Sequence, residues 1–354
     1  MASFFTSSSD DGLPSGCGEE YISALKPSGE VGKEQLNLLL LTTGIMTLVV
    51  VIVSVIYLLA FVKFRRSKVG ENVIPKQVEG SHTLEVIWTV IPIILLLIIA
   101  VPVVTTTYKF ADVAAMDEVD ENGNKTALTV NVTAKLYWWE FEYPNQGIVT
   151  AQELVVPTGE KVYFNLKAAD VKHSFWIPAV GGKMDTNVEN LNKFYLVFDK
   201  ESKDLKDGVF YGKCAELCGP SHALMDFKVK SLSLKHSMLV DTMKATEGQT
   251  ADKASTDLGE ATFANSCLAC HAVSGVGGTG GLGPNLTTFG DRNRVAGFLE
   301  HNEENLQAWI KNPGEYKPGN LMMNPDGTAP IYGDLSDEEI QALATYIMGL
   351  SVEK

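Results

Sequence analysis

Cys214-Ala-Glu-Leu-Cys218-Gly-Pro-Ser-His222-Ala-Leu-Met225 places two thiols, an imidazole and a thioether within twelve residues. Sulfur combined with imidazole selects copper, zinc or iron–sulfur chemistry. Structural zinc sites are built from cysteine and histidine, so the methionine tilts this set toward copper. A further imidazole, His173, stands upstream in Asp170-Val-Lys-His173-Ser-Phe-Trp, at the end of an expected strand. Ligands divided between an early strand and a late loop meet only when the domain folds. A zinc site, a Cys214–Cys218 disulfide and a core histidine at 173 are the competing readings.

A second cluster, Cys267-Leu-Ala-Cys270-His271, has the C-x-x-C-H spacing that attaches c-type haem. Two thiols bond to the vinyl groups and the adjacent imidazole ligates the iron. A thioredoxin-like redox pair would need a βαβ setting, which the flanking sequence lacks. A sixth ligand is sought downstream, where methionine raises the reduction potential relative to a second histidine. Lys317-Pro-Gly-Asn-Leu-Met322-Met323 offers two candidates, Met322 and Met323. His301, in the polar run Glu300 to Asn305, is a rival expected to face solvent. The fifth cysteine, Cys17, stands alone near the N-terminus. No acid–base or nucleophilic constellation suggests another chemistry.

The elements that must position these clusters differ along the chain. Leu38 to Val62 is an apolar run of 25 residues, long enough as a helix (about 38 Å) to span a bilayer. Leu84 to Val104 is a second, with Glu85 at its edge. A pair of buried core helices is the alternative, but core helices seldom stay apolar on every face. Lys63, Arg65, Arg66, Lys68 and Lys76 lie between the runs, and a short cation-rich loop stays in the cytoplasm. The expected fold is multidomain. It comprises an exported N-terminal segment (1–35), a transmembrane α-helical hairpin (36–108), an all-β sandwich (109–235), a linker (236–257) and an all-α domain (258–354). The β region rests on runs such as Leu128 to Val132, Lys161 to Leu166, Phe194 to Phe198 and Phe227 to Leu234, separated by turn residues. Thr246 to Thr256 reads as a flexible tether. Leu258 to Cys267 and Ser336 to Met348 read as helices, the latter with a Ser336/Glu339 capping box. The formal net charge of -14 argues against nucleic acid and anionic lipid surfaces as partners.

The hairpin, the strand-end histidine and C-x-E-x-C-x-x-x-H-x-x-M resemble subunit II of haem–copper oxidases, over about Cys17 to Ser233. That resemblance implies a cupredoxin-like fold and a dinuclear mixed-valence copper centre, CuA. Cys214 and Cys218 would bridge the coppers, His173 and His222 would be terminal ligands, and Met225 a weaker one. Glu216 would bind through its backbone carbonyl, its side chain reaching a magnesium site shared with subunit I. Glu85 resembles the carboxylate at the cytoplasmic mouth of a proton channel. The aromatic run Leu136 to Tyr143 matches the stretch where electrons enter, with Trp138 and Trp139 as the candidates, although an aromatic run on a strand also suits a core.

With the fused haem domain the whole is similar to the caa-type oxidases of bacteria. There Cys17, followed by Gly-Glu-Glu, would be a lipidation site. Cytochrome c domains favour Met322 over Met323 and use the carbonyl of Pro284 to hold the proximal histidine. The implied partners are subunit I with haem a and copper, other oxidase subunits, a soluble or membrane-bound cytochrome c as donor, and the bilayer. The implied location is the bacterial cell membrane, with both redox domains on the outer face. A tethered carrier without an oxidase, and a quinol-oxidase subunit lacking copper, are the alternatives.

Overall fold

The computed structural model describes residues 18–70, 73–74, 77–123, 125–233, 257–278 and 280–351. Cys17, Lys76 and the tether 246–256 lie outside the described residues. Two compact units form: Glu34–Ala111, and a second comprising the segment up to Lys33 with everything from Asp112 onward.

Helices α1 (Glu30–Lys63) and α3 (His82–Ala111) dominate the first unit, with the single turn α2 (Arg66–Val69) between them. Both long helices are apolar around their circumference, and none of their most apolar windows is buried. A core helix would be covered, so the core-helix alternative fails here. Hydroxyls within them turn back on the helix: Thr105 donates to Val101 O at 3.0 Å and Thr107 to Val103 O at 2.8 Å. Such self-bonding removes polar groups that a hydrocarbon phase could not solvate. α1 is 34 residues long, extending the expected run at its N-terminal end.

The β region is a sandwich of two five-stranded sheets. One holds β1 (Leu128–Lys135), β2 (Trp138–Tyr143), β3 (Ile148–Ala151), β5 (Lys161–Ala168) and β8 (Asn192–Val197), in the order β3-β2-β1-β5-β8. The other holds β4 (Glu153–Pro157), β6 (His173–Ile177), β7 (Gly181–Thr186), β9 (Phe210–Cys214) and β10 (Asp226–Leu232), in the order β4-β10-β9-β6-β7. Strand alternation sends Trp139 and Phe141 inward from β2, where they meet Phe175 and Phe227 of the facing sheet. Phe175 and Phe227 stack at 4.8 Å. Gly212 lies under the Phe227 ring, and a β-carbon there would fall 2.1 Å from the ring, so the position admits only glycine without repacking.

The C-terminal region is helical: α4 (Asp257–Ser266), α5 (Glu303–Lys311), α6 (Pro313–Tyr316) and α7 (Asp337–Met348), plus a small hairpin, β11 (Arg294–Val295) with β12 (Leu299–Glu300). Ser336 caps α7 in a reciprocal box with Glu339. α4 crosses α7 closely: a β-carbon at Gly259 would meet Ala342 O at 2.3 Å. Phe263, Leu286, Phe289, Leu306, Leu343 and Ile347 form its core.

This helical region is docked on the sandwich. The tip of the β11–β12 hairpin is the main seat: Lys228 donates to Gly297 O at 3.2 Å and Gln152 Nε2 to Ala296 O at 3.2 Å. Gly297 adopts a φ of +88°, and a β-carbon on it would strike the Gln152 amide at 2.3 Å. Ser221 donates to Pro318 O at 2.7 Å, and Arg294 to the Tyr211 hydroxyl at 2.8 Å. The tether reading alone gave no reason to expect an interface this polar and this buried.

Candidate functional site

The loop after β9 and the start of β6 bring the first ligand cluster together. The Cys214 sulfur lies 3.9 Å from that of Cys218 and 3.9 Å from His173 Nδ1. Cys218 lies 3.6 Å from His222 Nδ1 and 4.0 Å from the Met225 sulfur. The Glu216 carbonyl is 3.3 Å from the Cys214 sulfur. Two thiols, two imidazole nitrogens, a thioether and a carbonyl therefore face one small volume, a donor set that fits soft copper ions. The sulfurs are too far apart for a disulfide, and both cysteines are free. Burial disfavours a thiolate at Cys214, but hydrogen bonds from His173 and the backbone overcome it and draw its pKa down. Burial and the neighbouring Cys214 charge push Cys218 up. Two adjacent thiolates need cationic charge between them, which copper ions would supply.

Asp170 is a residue that sequence reasoning passed over. Its carboxylate accepts from His173 Nε2 at 2.8 Å and from the Leu136 amide at 2.7 Å. That fixes the proton on Nε2 and leaves the Nδ1 lone pair pointing at the sulfurs. The Asp-x-x-His spacing was the available signal.

The second cluster lines an apolar cavity of about 320 Å³. Cys267, Cys270 and His271 form one wall, Met322 and Trp309 contribute others, and Leu136, Tyr137 and Trp138 come from the sandwich. His271 Nδ1 donates to Pro284 O at 2.8 Å, which leaves Nε2 free to ligate. A β-carbon at Gly283 would sit 2.6 Å from the imidazole, so glycine there lets the ring lie flat against the loop. Burial holds His271 below its ordinary pKa, in the neutral form a ligand needs. Two thiols, an oriented imidazole, a thioether and apolar walls fit a covalently attached haem.

The two methionines separate cleanly. Met322 lines the cavity, whereas Met323 is buried against Gly314, with its sulfur 3.2 Å from where that residue's β-carbon would be. Met322→Leu is therefore expected to lower the haem potential and erase the methionine–iron charge-transfer band, with Met323→Leu sparing both. The opposite pattern would reassign the ligand. His301 is half-buried rather than solvent-facing: its Nε2 bonds Phe289 O at 3.0 Å and its ring packs on Phe289. The β11–β12 hairpin folds it back against the domain.

Adjacent positions on β2 point opposite ways. Trp139 is fully buried in the sandwich core, 6.3 Å from the His173 ring, and its indole donates to Met225 O at 3.2 Å. Trp138 faces the cavity under Lys135. Tyr137 also lines the cavity, and its hydroxyl reaches toward Gly219 in the loop between Cys214 and Met225. Glu85 lies in the first turn of α3, in the other unit.

The family described as cytochrome c oxidase subunit II, periplasmic domain, matches residues 145–232; its transmembrane-domain counterpart matches 31–105; and the cytochrome c family matches 256–351. The chain is 56% identical over 345 residues to cytochrome c oxidase subunit 2 of Bacillus sp. (strain PS3), covering 96% of this chain and 95% of that protein. It is 54% identical over 346 residues to the protein of the same name from Bacillus subtilis (strain 168), with the same coverage of each. Among solved structures, the periplasmic domain of subunit II of cytochrome oxidase of Bradyrhizobium japonicum is 32% identical. That match covers 33% of this chain and 93% of that one, with a TM-score of 0.29.

Proposed function

Because the chain belongs to the cytochrome c oxidase subunit 2 family, we propose that it accepts electrons from an external cytochrome c and delivers them to subunit I. It is a membrane-anchored subunit of a haem–copper oxidase, and its two soluble domains imply haem c and CuA. When bound, these groups supply one-electron transfer, from haem c to the dinuclear copper to haem a, in support of oxygen reduction and proton translocation in subunit I.

The chain's own residues hold and orient. Cys214, Cys218, His173, His222, Met225 and the Glu216 carbonyl would together hold the copper ions. Asp170 fixes the His173 tautomer. Cys267 and Cys270 would bind the haem covalently, and His271 and Met322 would hold its iron. The Glu216 carboxylate would hold a magnesium ion shared with subunit I, and Glu85 would serve proton entry to a channel there. Lys63, Arg65, Arg66 and Lys68 between the spans support an outer-face position for both redox domains. A lipid on Cys17 belongs to the same reading.

The observation that carries the proposal is the juxtaposition of the two ligand clusters in one compact unit, with Tyr137 between the haem cavity and the copper loop. The test is photochemical injection of an electron into haem c of the purified oxidase. Copper should be reduced next, at a rate independent of protein concentration. A rate that scales with concentration, or copper reduced ahead of haem c, would overturn the route.

A further inference from the structure

Lys317 breaks the rule that lysines stay at the surface. Only 3% of it is exposed, and it lies where the haem cavity meets the sandwich. Its Nζ donates to Tyr137 O at 2.9 Å, on the sandwich, and to Ala296 O at 2.8 Å, on the hairpin tip. The Phe298 ring lies 5.3 Å away. Both acceptors are neutral carbonyls, and no carboxylate is within ion-pair distance of it among the described residues. A neutral amine has two N–H groups and an ammonium three, so the two carbonyls satisfy the amine and leave the ammonium one short.

The chain's own charged groups facing it do not compensate. From β10 come Asp226 and Lys228, of opposite sign. Asp226 is already engaged by Lys213 at 2.6 Å. Arg292, buried in the cavity wall, and Arg294 of β11, which also lines the cavity, add further positive charge. Tyr137, raised above its ordinary pKa by burial, stays neutral.

We propose that Lys317 is the redox-linked proton acceptor of haem c, taking up a proton as the haem is reduced and releasing it on oxidation. The amine gains H⁺ from water as the neighbouring haem gains one electron from the external donor, and both are returned when the electron moves on. The coupling is electrostatic. A buried charge and a centre whose charge changes by one share a low-dielectric cavity, where their interaction far exceeds its value in water. Burial pushes the Lys317 ammonium down to about 7, so the exchange falls in the neutral range. The added electron favours the ammonium, so its pKa is higher beside reduced haem. The potential must then fall as pH rises between the two pKa values.

The proposal rests on the haem c reading. Covalent haem content and the methionine–iron band, recorded on the same samples, test that reading separately. The experiment is spectroelectrochemical titration of haem c in the full oxidase across the neutral pH range. In the unaltered protein the reduction equilibrium should shift by up to about tenfold per pH unit. Lys317→Met should flatten the profile and lower the potential to the alkaline limit of the unaltered protein. Lys317→Arg, which stays charged, should flatten it near the acid limit. A sloping profile retained in either variant, or a flat profile in the unaltered protein, would overturn the proposal.

Discussion

Cys218→Ser should abolish the dinuclear copper centre while leaving haem c covalently attached. Cys218 is the hub of the cluster: its sulfur lies within 4.0 Å of the Cys214 sulfur, His222 Nδ1 and the Met225 sulfur. A serine hydroxyl is shorter, harder and unionised at neutral pH, and soft copper has little affinity for it. Near-complete loss of bound copper and of the mixed-valence electron paramagnetic resonance signal is expected. The proposed haem thiols, Cys267 and Cys270, follow α4 in a separate core and should be unaffected. The variant needs metal analysis and a haem absorption spectrum on one preparation. Full copper content with an unchanged signal would sink the assignment.

Removing residues 257–354 should leave the copper centre intact but make turnover depend on added soluble cytochrome c. The sandwich retains its own aromatic core, so it keeps its fold, and every proposed copper ligand lies before Asp226. What disappears is a donor held in place. Docking through Lys228, Gln152 and Ser221 removes the search that a free protein must make. Truncation should also uncover Tyr137 and Trp138, now 4% and 8% exposed. With a small-molecule reductant, oxygen consumption should fall sharply and recover when soluble cytochrome c is added. That recovery should be salt-sensitive in a way the intact chain is not. Turnover untouched by truncation would make the fused haem a bystander.

Both ligand clusters were legible because most of each is local in sequence. Cys214 to Met225 is one loop and Cys267 to His271 one turn, so residue type and spacing carry nearly all the information. The sandwich and the two spans were legible from alternation and from uninterrupted apolar runs. Trp138 and Trp139 were equivalent as letters; only the pleat of β2 assigns one to the core and the other to the cavity. The domain interface was not legible at all. Nothing in the sequence marks Lys317 and Lys228 as buried, and their partners are backbone carbonyls, which composition does not show. Asp170 was visible beside His173, but its bond to the Leu136 amide spans 34 residues and needed the fold.

Gln152 has φ of +66°, an uncommon conformation for a residue with a β-carbon. Its side-chain oxygen accepts from the Trp139 amide at 2.9 Å, while its nitrogen donates to Ala296 O on the hairpin tip. The Trp139 indole in turn donates to Met225 O. From Met225, in the loop proposed to bind copper, to Ala296 in the C-terminal domain there is thus a continuous line of covalent bonds and hydrogen bonds with no van der Waals gap. Tunnelling amplitude decays far more slowly along bonds than across empty space. The same side chain that fastens the two domains therefore also shortens, in electronic terms, the distance between them.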